Sequence, residues 1–241
     1  MLACLAHPGF SSASMPLEIT VQPDQIFIGA TYNGTDILVS GQVPADTEAV
    51  IRITGHEEDS KLKKKGRVMG VLWMNLGSVE LQNIPGVFLL YKSIQADDQQ
   101  VGGINISAIR RKAEIVSEYQ DKDALFEEFV KLKQKSGLYR TVENGIHYEK
   151  ENNGMKFFSA SVKLPSALPQ GDYKLEVFAL AGNDIAGYSK KDLNVKQAGM
   201  PAFIATLAFD HGTLYGILAV IVAVIAGLLT GTIFKGEKGA H

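Results

Sequence analysis

The hydrophobic positions along the chain fall into three stretches with different periods. In the first, up to about residue 92, apolar and polar residues alternate in short runs. Leu17-Glu18-Ile19-Thr20-Val21 alternates strictly, as a half-buried strand must, because successive side chains point to opposite faces. Asn33-Gly34 marks a turn, and residues 36–41 and 49–55 follow as strands. Residues 67–74 and 87–92 complete the set, with Asn83-Ile84-Pro85-Gly86 as a turn between late strands. Strands of this length between Pro, Gly and Asn predict an immunoglobulin-like β-sandwich.

The second stretch inserts helical periodicity and then returns to strands. Residues 104–119 carry a weak helical pattern in which Ile109, Val116 and Tyr119 share a face. Residues 121–135 make a better helix: Asp121 is placed to cap it, Leu125, Phe126, Phe129, Val130 and Leu132 form an apolar stripe, and Gly137 stands just past its end. This pattern reads as a core helix packed on a sheet. Asn144-Gly145 and Asn153-Gly154 are turn signals around a short hairpin strand at 146–149. Residues 157–164, 172–178 and 193–196 alternate as strands, with Pro169-Gln170-Gly171-Asp172-Tyr173 shaping a corner.

The third stretch decides the class. Residues 214–234 contain 21 residues without a charge, twelve of them Leu, Ile, Val or Phe. A helix of about 20 residues crosses the hydrocarbon core of a bilayer. At roughly −0.3 to −0.6 kcal/mol each, twelve such side chains favour insertion by about −4 to −7 kcal/mol. A soluble helix this apolar would need protein on every side. Lys235 and Lys238 follow the span, whereas Asp210 and His211 precede it and the nearest upstream lysine is Lys196. Positive flanks stay in the cytoplasm, so the C-terminus is expected inside and the body outside. Residues 197–209 lead into the span with almost no linker.

The expected organisation is a signal-peptide remnant at 1–13 and an extracytoplasmic β-rich domain at 14–200. That domain is one sandwich or two, with helices at about 104–136. A juxtamembrane segment at 201–212, a transmembrane helix at 213–234 and a cytoplasmic tail at 235–241 follow. Residues 1–14 lack a basic start but offer Ser11-Ser12-Ala13 as a small-residue cleavage pattern before Ser14. Cys4, the single cysteine, falls in this segment; lipidation of Cys4 is the competing reading. Either way the mature body has no disulfide, and its stability comes from its core.

Composition refines this picture by exclusion. The chain has 24 Lys and Arg against 26 Asp and Glu, a balance unlike the basic excess of nucleic-acid binders. It carries no Gly-rich phosphate loop, no HExxH and no paired-cysteine site, so neither a cofactor nor a resident metal is expected. His56-Glu57-Glu58-Asp59 is the densest group of oxygen and nitrogen ligands. Four lysines at 61 and 63–65 compete for its carboxylates, which favours a solvated hairpin tip. Lys63, Lys64, Lys65 and Arg67 form a basic run that suits an exposed loop or a contact with headgroups or an acidic partner. His211, at the membrane entrance, reads as an interfacial polar residue. Ala219, Ala223, Gly227 and Gly231 fall four apart along the span, and such small-residue rows let helices approach closely in lipid.

Several short motifs occur in a recognisable order: residues 67–75 (Arg-Val-Met-Gly-Val-Leu-Trp-Met-Asn), Ile84-Pro85-Gly86-Val87-Phe88, Gly137-Leu138-Tyr139, Leu164-Pro165 with Pro169, Gly171 and Tyr173, and Leu214-Tyr215-Gly216 opening the span. In this order the chain resembles the family of transmembrane proteins first described from alphaproteobacteria (Alph_Pro_TM-like), from about Leu17 to Phe234. The resemblance implies an envelope protein with one membrane helix and brings no catalytic residues. The expectation is a mainly β protein that is not an enzyme. It sits in the bacterial inner membrane with its bulk in the periplasm and serves as an accessory or structural subunit of a transporter or respiratory assembly. Its expected partners are integral membrane subunits and the lipid bilayer. A ligand-binding module serving a neighbouring permease is the alternative, and a hydrolytic enzyme is a third reading.

Overall fold

The computed structural model describes residues 15–68, 72–93, 96, 103–149 and 151–235. The expected signal-peptide remnant, with Cys4, and most of the expected cytoplasmic tail lie outside the described residues. The elements run β1 Met15–Pro16, β2 Ile19–Gln22, β3 Gln25–Ile28, β4 Thr35–Pro44, β5 Glu48–Thr54, β6 Glu57–Val68, β7 Leu72–Pro85 and β8 Phe88–Lys92. Then come α1 Ile106–Lys112, β9 Glu114–Ser117, α2 Lys122–Lys135, β10 Tyr139–Val142, β11 His147–Tyr148, β12 Met155–Leu164, β13 Gly171–Ala181, β14 Asp184–Gln197, α3 Met200–Asp210 and α4 Gly212–Lys235. The chain is mainly β and ends in a long apolar helix. It divides into two compact units, one formed by Met1–Ile26 and Tyr32–Val195, the other by Phe27–Thr31 and Lys196–His241.

The first unit is built on a sheet in the order β1-β14-β13-β5-β8-β10, with β3 also paired to β14. A second sheet runs β11-β12-β4-β2, and a third runs β6-β7-β9. The large sheet is buried on both faces. Val50, Leu90, Phe178 and Leu180 share one core cluster with Phe126 and Phe129 of α2, Ile109 of α1, and Leu81 and Ile84 of β7. Their strand neighbours Ala49, Ile51, Ile53, Leu89, Leu175 and Val177 point the other way and are also buried. On that side the Tyr91 hydroxyl accepts the Lys163 N–H of β12 at 2.9 Å, joining the first sheet to the second. A strand covered on both faces loses the alternation of a half-exposed one, and all five residues of β8 are buried.

The helical insertion has a topological cause. β8 and β10 pair in parallel, and a parallel pair needs a crossover rather than a tight turn. The connection carries α1, β9 and α2. Asp121 caps α2 by accepting the Ala124 N–H at 2.9 Å, and Gly137 takes φ +74° just past its end, a conformation that costs glycine little. Phe129 meets Tyr139 edge-on at 5.7 Å, and the Tyr139 hydroxyl donates to the Pro85 carbonyl at 2.7 Å. Burial, with the nearby Glu58 charge, pushes the Tyr139 hydroxyl pKa up. Of the expected apolar stripe, Phe126 and Phe129 are buried while Leu132 is exposed.

Three expected elements differ from the observed ones. Residues 67–74 are not one strand: Arg67 pairs with Trp73 and Val68 with Leu72, so the run folds back on itself as the end of the β6–β7 hairpin. The apolar run that suggested a strand supplies both of its arms. Residues 114–117 form strand β9 against β7 rather than continuing a helix, because Ile115 enters the core at a two-residue period. His56-Glu57-Glu58-Asp59 is the root of that hairpin, not its tip, with Glu57 and Glu58 opposite Pro85 and Ile84.

Candidate functional site

The second unit carries the feature with the plainest functional meaning. β14 ends at Gln197, the Ala198 N–H donates to the Ile28 carbonyl at 2.9 Å, and Gly199 turns the chain with φ +71°. Pro201 then sits in the first turn of α3, where its missing N–H breaks no intrahelical bond. His211, at φ −131° and ψ 49°, interrupts the helix for a single residue. Its N–H still donates to the Leu207 carbonyl at 3.2 Å and its carbonyl accepts from Tyr215 at 3.0 Å, so α3 passes into α4 with hydrogen bonds on both sides of the break.

α4 has 24 residues and no charge before Lys235. At 1.5 Å per residue it is about 36 Å long, enough to cross a hydrocarbon core of about 30 Å. None of the span at Gly212–Thr232 is buried by protein. The two threonines of its C-terminal part are satisfied inside the helix: Thr230 donates to the Ala226 carbonyl at 2.7 Å and Thr232 to the Leu229 carbonyl at 2.8 Å. A medium without water demands this, since each unpaired polar group costs several kcal/mol there. Beyond Thr213 and Tyr215 in its first turn, the helix is therefore apolar around its whole circumference.

The predicted packing residues Ala219, Ala223, Gly227 and Gly231 all lie on α4 and are exposed. A Cβ built on Gly227 or Gly231 meets nothing within 4 Å. Residues four apart advance slightly round the helix, so this row winds across the surface as the inclined ridge that close helix crossings follow. Lys63 is exposed on β6 opposite Ser78. Lys64, Lys65 and Arg67 lie on the same strand opposite Gly77, Asn75 and Trp73; their side chains, like that of Trp73, fall outside the described ones. The basic run is thus an arm of a hairpin rather than a loop.

The polar groups of the first unit converge in two places. At the junction of the first two sheets, Glu48 accepts from Tyr148 at 2.9 Å, from Lys156 at 2.9 Å and from Ser93. The Tyr148 hydroxyl also accepts the Ala49 N–H at 2.7 Å, and the Lys156 ammonium stands 4.2 Å from the Tyr148 ring centre. Burial alone would raise the Glu48 pKa, but the hydrogen bonds from Ser93, Lys156 and Tyr148 and the Lys156 charge outweigh it and hold the carboxyl below its ordinary value. Burial pushes the Tyr148 hydroxyl up. Sequence reasoning missed this cluster because its members are up to 108 residues apart.

The second place is a crevice of about 540 Å³ lined by Arg52, His56, Asp172, Glu176 and Asp192 among others. Arg52 pairs with Glu176 at 2.8 Å across adjacent strands and stacks over Phe178, while Tyr188 donates to the same carboxylate at 2.9 Å. Burial and that carboxylate raise the Tyr188 pKa to about 12. At the hairpin root, Glu58 pairs with Lys133 of α2 at 2.8 Å and Asp59 accepts the Asn83 N–H at 3.3 Å. Two of the three acids of the suspected ligand group, Glu58 and Asp59, are thus engaged within the fold. No group of three or more His, Cys, Asp or Glu side chains is arranged to hold a metal among the described residues.

Comparison with known proteins adds one match. The model of a family described as "Putative transmembrane protein (Alph_Pro_TM)" matches residues 16–236. No curated protein matches the chain.

Proposed function

This chain belongs to the Alph_Pro_TM family of transmembrane proteins, and from that premise we propose that it is a non-enzymatic envelope protein, anchored by α4 in a bacterial inner membrane and serving as an accessory subunit of a larger membrane complex such as a transporter or respiratory assembly. The observation that carries this reading is α4 itself: 24 residues, exposed throughout its described length, with Thr230 and Thr232 bonded to the helix's own carbonyls. Lys235 and Lys238 on one flank and Asp210 on the other favour a cytoplasmic C-terminus, with the β domain on the periplasmic side. The winding row of Ala219, Ala223, Gly227 and Gly231 supports a helix partner, because lipid tails solvate two helices equally well and only close packing favours contact. The paired state of Glu48, Glu58 and Arg52 supports structural rather than catalytic work for the polar groups of the β domain.

The test is recovery of partner subunits after solubilisation in a mild detergent. Gly227→Ile puts bulk on the row while keeping the helix as lipophilic as before. It should lose partners that the parent chain and the opposite-face control Ile225→Leu retain. Equal recovery from all three would reduce α4 to a plain anchor and leave any assembly to the β domain.

A further inference from the structure

We propose that α3 is a second membrane-contacting element, a short and largely apolar helix lying in the headgroup–acyl boundary of the same bilayer that α4 crosses. The proposal rests on the anchor reading of α4 and adds a specific occupant for a surface that reading leaves bare. Met200, Phe203, Ile204 and Leu207 are spaced i, i+3, i+4 and i+7, the period of a helix with one apolar face. Met200, Phe203 and Ile204 are exposed, and Phe209 is 89% exposed. The opposite face carries the small residues Ala202 and Ala205 and, at the C-terminal end beside the span, Phe209, with Thr206 and Asp210 at its edge.

Continuity with the span places this face. One residue separates α3 from α4, so the C-terminal end of α3 must lie where the span enters the membrane. The span cannot simply be extended to include α3. Together the two helices and His211 would run about 54 Å at 1.5 Å per residue, far beyond a hydrocarbon core of about 30 Å. Asp210 and His211 would also enter the core, where an ionisable group is costly. Standing upright in water would leave Met200, Phe203 and Ile204 hydrated. The break at His211 allows the remaining arrangement, in which the helix turns into the plane of the interface and sinks its apolar face among the acyl ends. Short interfacial helices bind in this way, and the aromatic Phe203 suits that depth. The helix is about 17 Å long, which would fix the exit direction of the chain that joins β14 to the span.

The test uses the full chain carrying Cys4→Ser, reconstituted in vesicles of phosphatidylethanolamine and phosphatidylglycerol. Single substitutions Phe203→Cys, Leu207→Cys, Ala205→Cys and Val222→Cys each receive a nitroxide label. Collision rates with oxygen, which concentrates in lipid, and with a neutral water-soluble nickel chelate are then compared. The expected result is several-fold greater lipid-side accessibility for the labels at 203 and 207 than for that at 205, at a depth shallower than the label at 222. Water-side accessibility at 203, 205 and 207, with 222 in lipid, would overturn the proposal and spare the anchor. Equal depth at all four positions would show α3 to be part of the span and overturn it too. Shielding of 203 and 207 from both reagents would mean that protein covers this face, which would equally overturn the proposal. A water-accessible label at 222 would remove the anchor reading itself.

Discussion

β8 and α4 are both runs of apolar residues, yet they meet opposite surroundings. All five residues of β8 are buried, between β5 and β10 in its sheet and between packed layers above and below. None of the span in α4 is buried. The difference teaches what apolar sequence asks of its neighbours. A strand five residues long satisfies its backbone only through partners on both edges, so it needs neighbouring strands as well as cover on its faces. A helix satisfies its backbone alone and accepts any apolar medium. The polar groups divide in the same way: Glu48 needs three partners from three other segments of the chain, while Thr230 and Thr232 each need only a carbonyl one turn back.

The contrast can be broken most strongly in the β domain. Phe129→Ala removes a ring that is 1% exposed between Phe126 and Tyr139, and should cost about 3–5 kcal/mol. The melting temperature of the domain should fall by on the order of 10 °C. Leu228→Ala, a comparable truncation in α4, should leave that transition where it is, because no protein packing is lost. Next in size is a charge in the span. Val222→Arg should disfavour insertion by roughly 3 kcal/mol and release part of the protein from membranes under alkaline carbonate, again without moving the melting transition.

A third change sharpens the comparison on the polar side. Tyr148→Phe leaves the Ala49 N–H without its partner and removes one of the two donors to Glu48 Oε2, and should cost about 1–3 kcal/mol in thermal unfolding. The Glu48 carboxyl is held below its unfolded value, so its contribution is present above the unfolded pKa and is lost as pH falls through the folded one. Melting should therefore decline with acid over that range, and Glu48→Gln should flatten the decline while lowering the plateau. The smallest expected effect is Asp121→Ala, which removes the cap of α2 and should cost about 1 kcal/mol by the same assay.

The parts of the molecule that are legible in the sequence are those fixed by local rules. The capped helix at Asp121, the strands at β4, β5 and β13 and the apolar span each follow from period, punctuation or length. What is not legible depends on contacts between distant segments. Nothing local says that residues 114–117 will pair with β7, or that the Lys-rich arm of β6 will find an apolar-patterned partner in residues 72–85. The Glu48 cluster joins β5, the end of β8, β11 and β12, and only the register of two sheets brings those together. α3 falls in the stretch read from the sequence as a juxtamembrane lead into the span, because its eleven residues are short and apolar with no polar face to mark a helical period. Pro201 sits in its first turn, where proline starts a helix. In the candidate site, the small-residue row is visible from spacing alone, since α4 is regular, whereas the basic run is visible as charge but not as a strand.

The proposed topology, a β domain held outside the cytoplasm by one helix, is tested most directly by the sidedness of two cysteines in a Cys4→Ser chain. Asn183→Cys lies in the exposed turn between β13 and β14, and Gly239→Cys lies beyond the span without removing either flanking lysine. With a membrane-impermeant maleimide added to intact spheroplasts, position 183 should react at once and position 239 only after lysis. Reaction at 239 with protection at 183 would invert the topology, and reaction at both in intact cells would contradict a single crossing by α4.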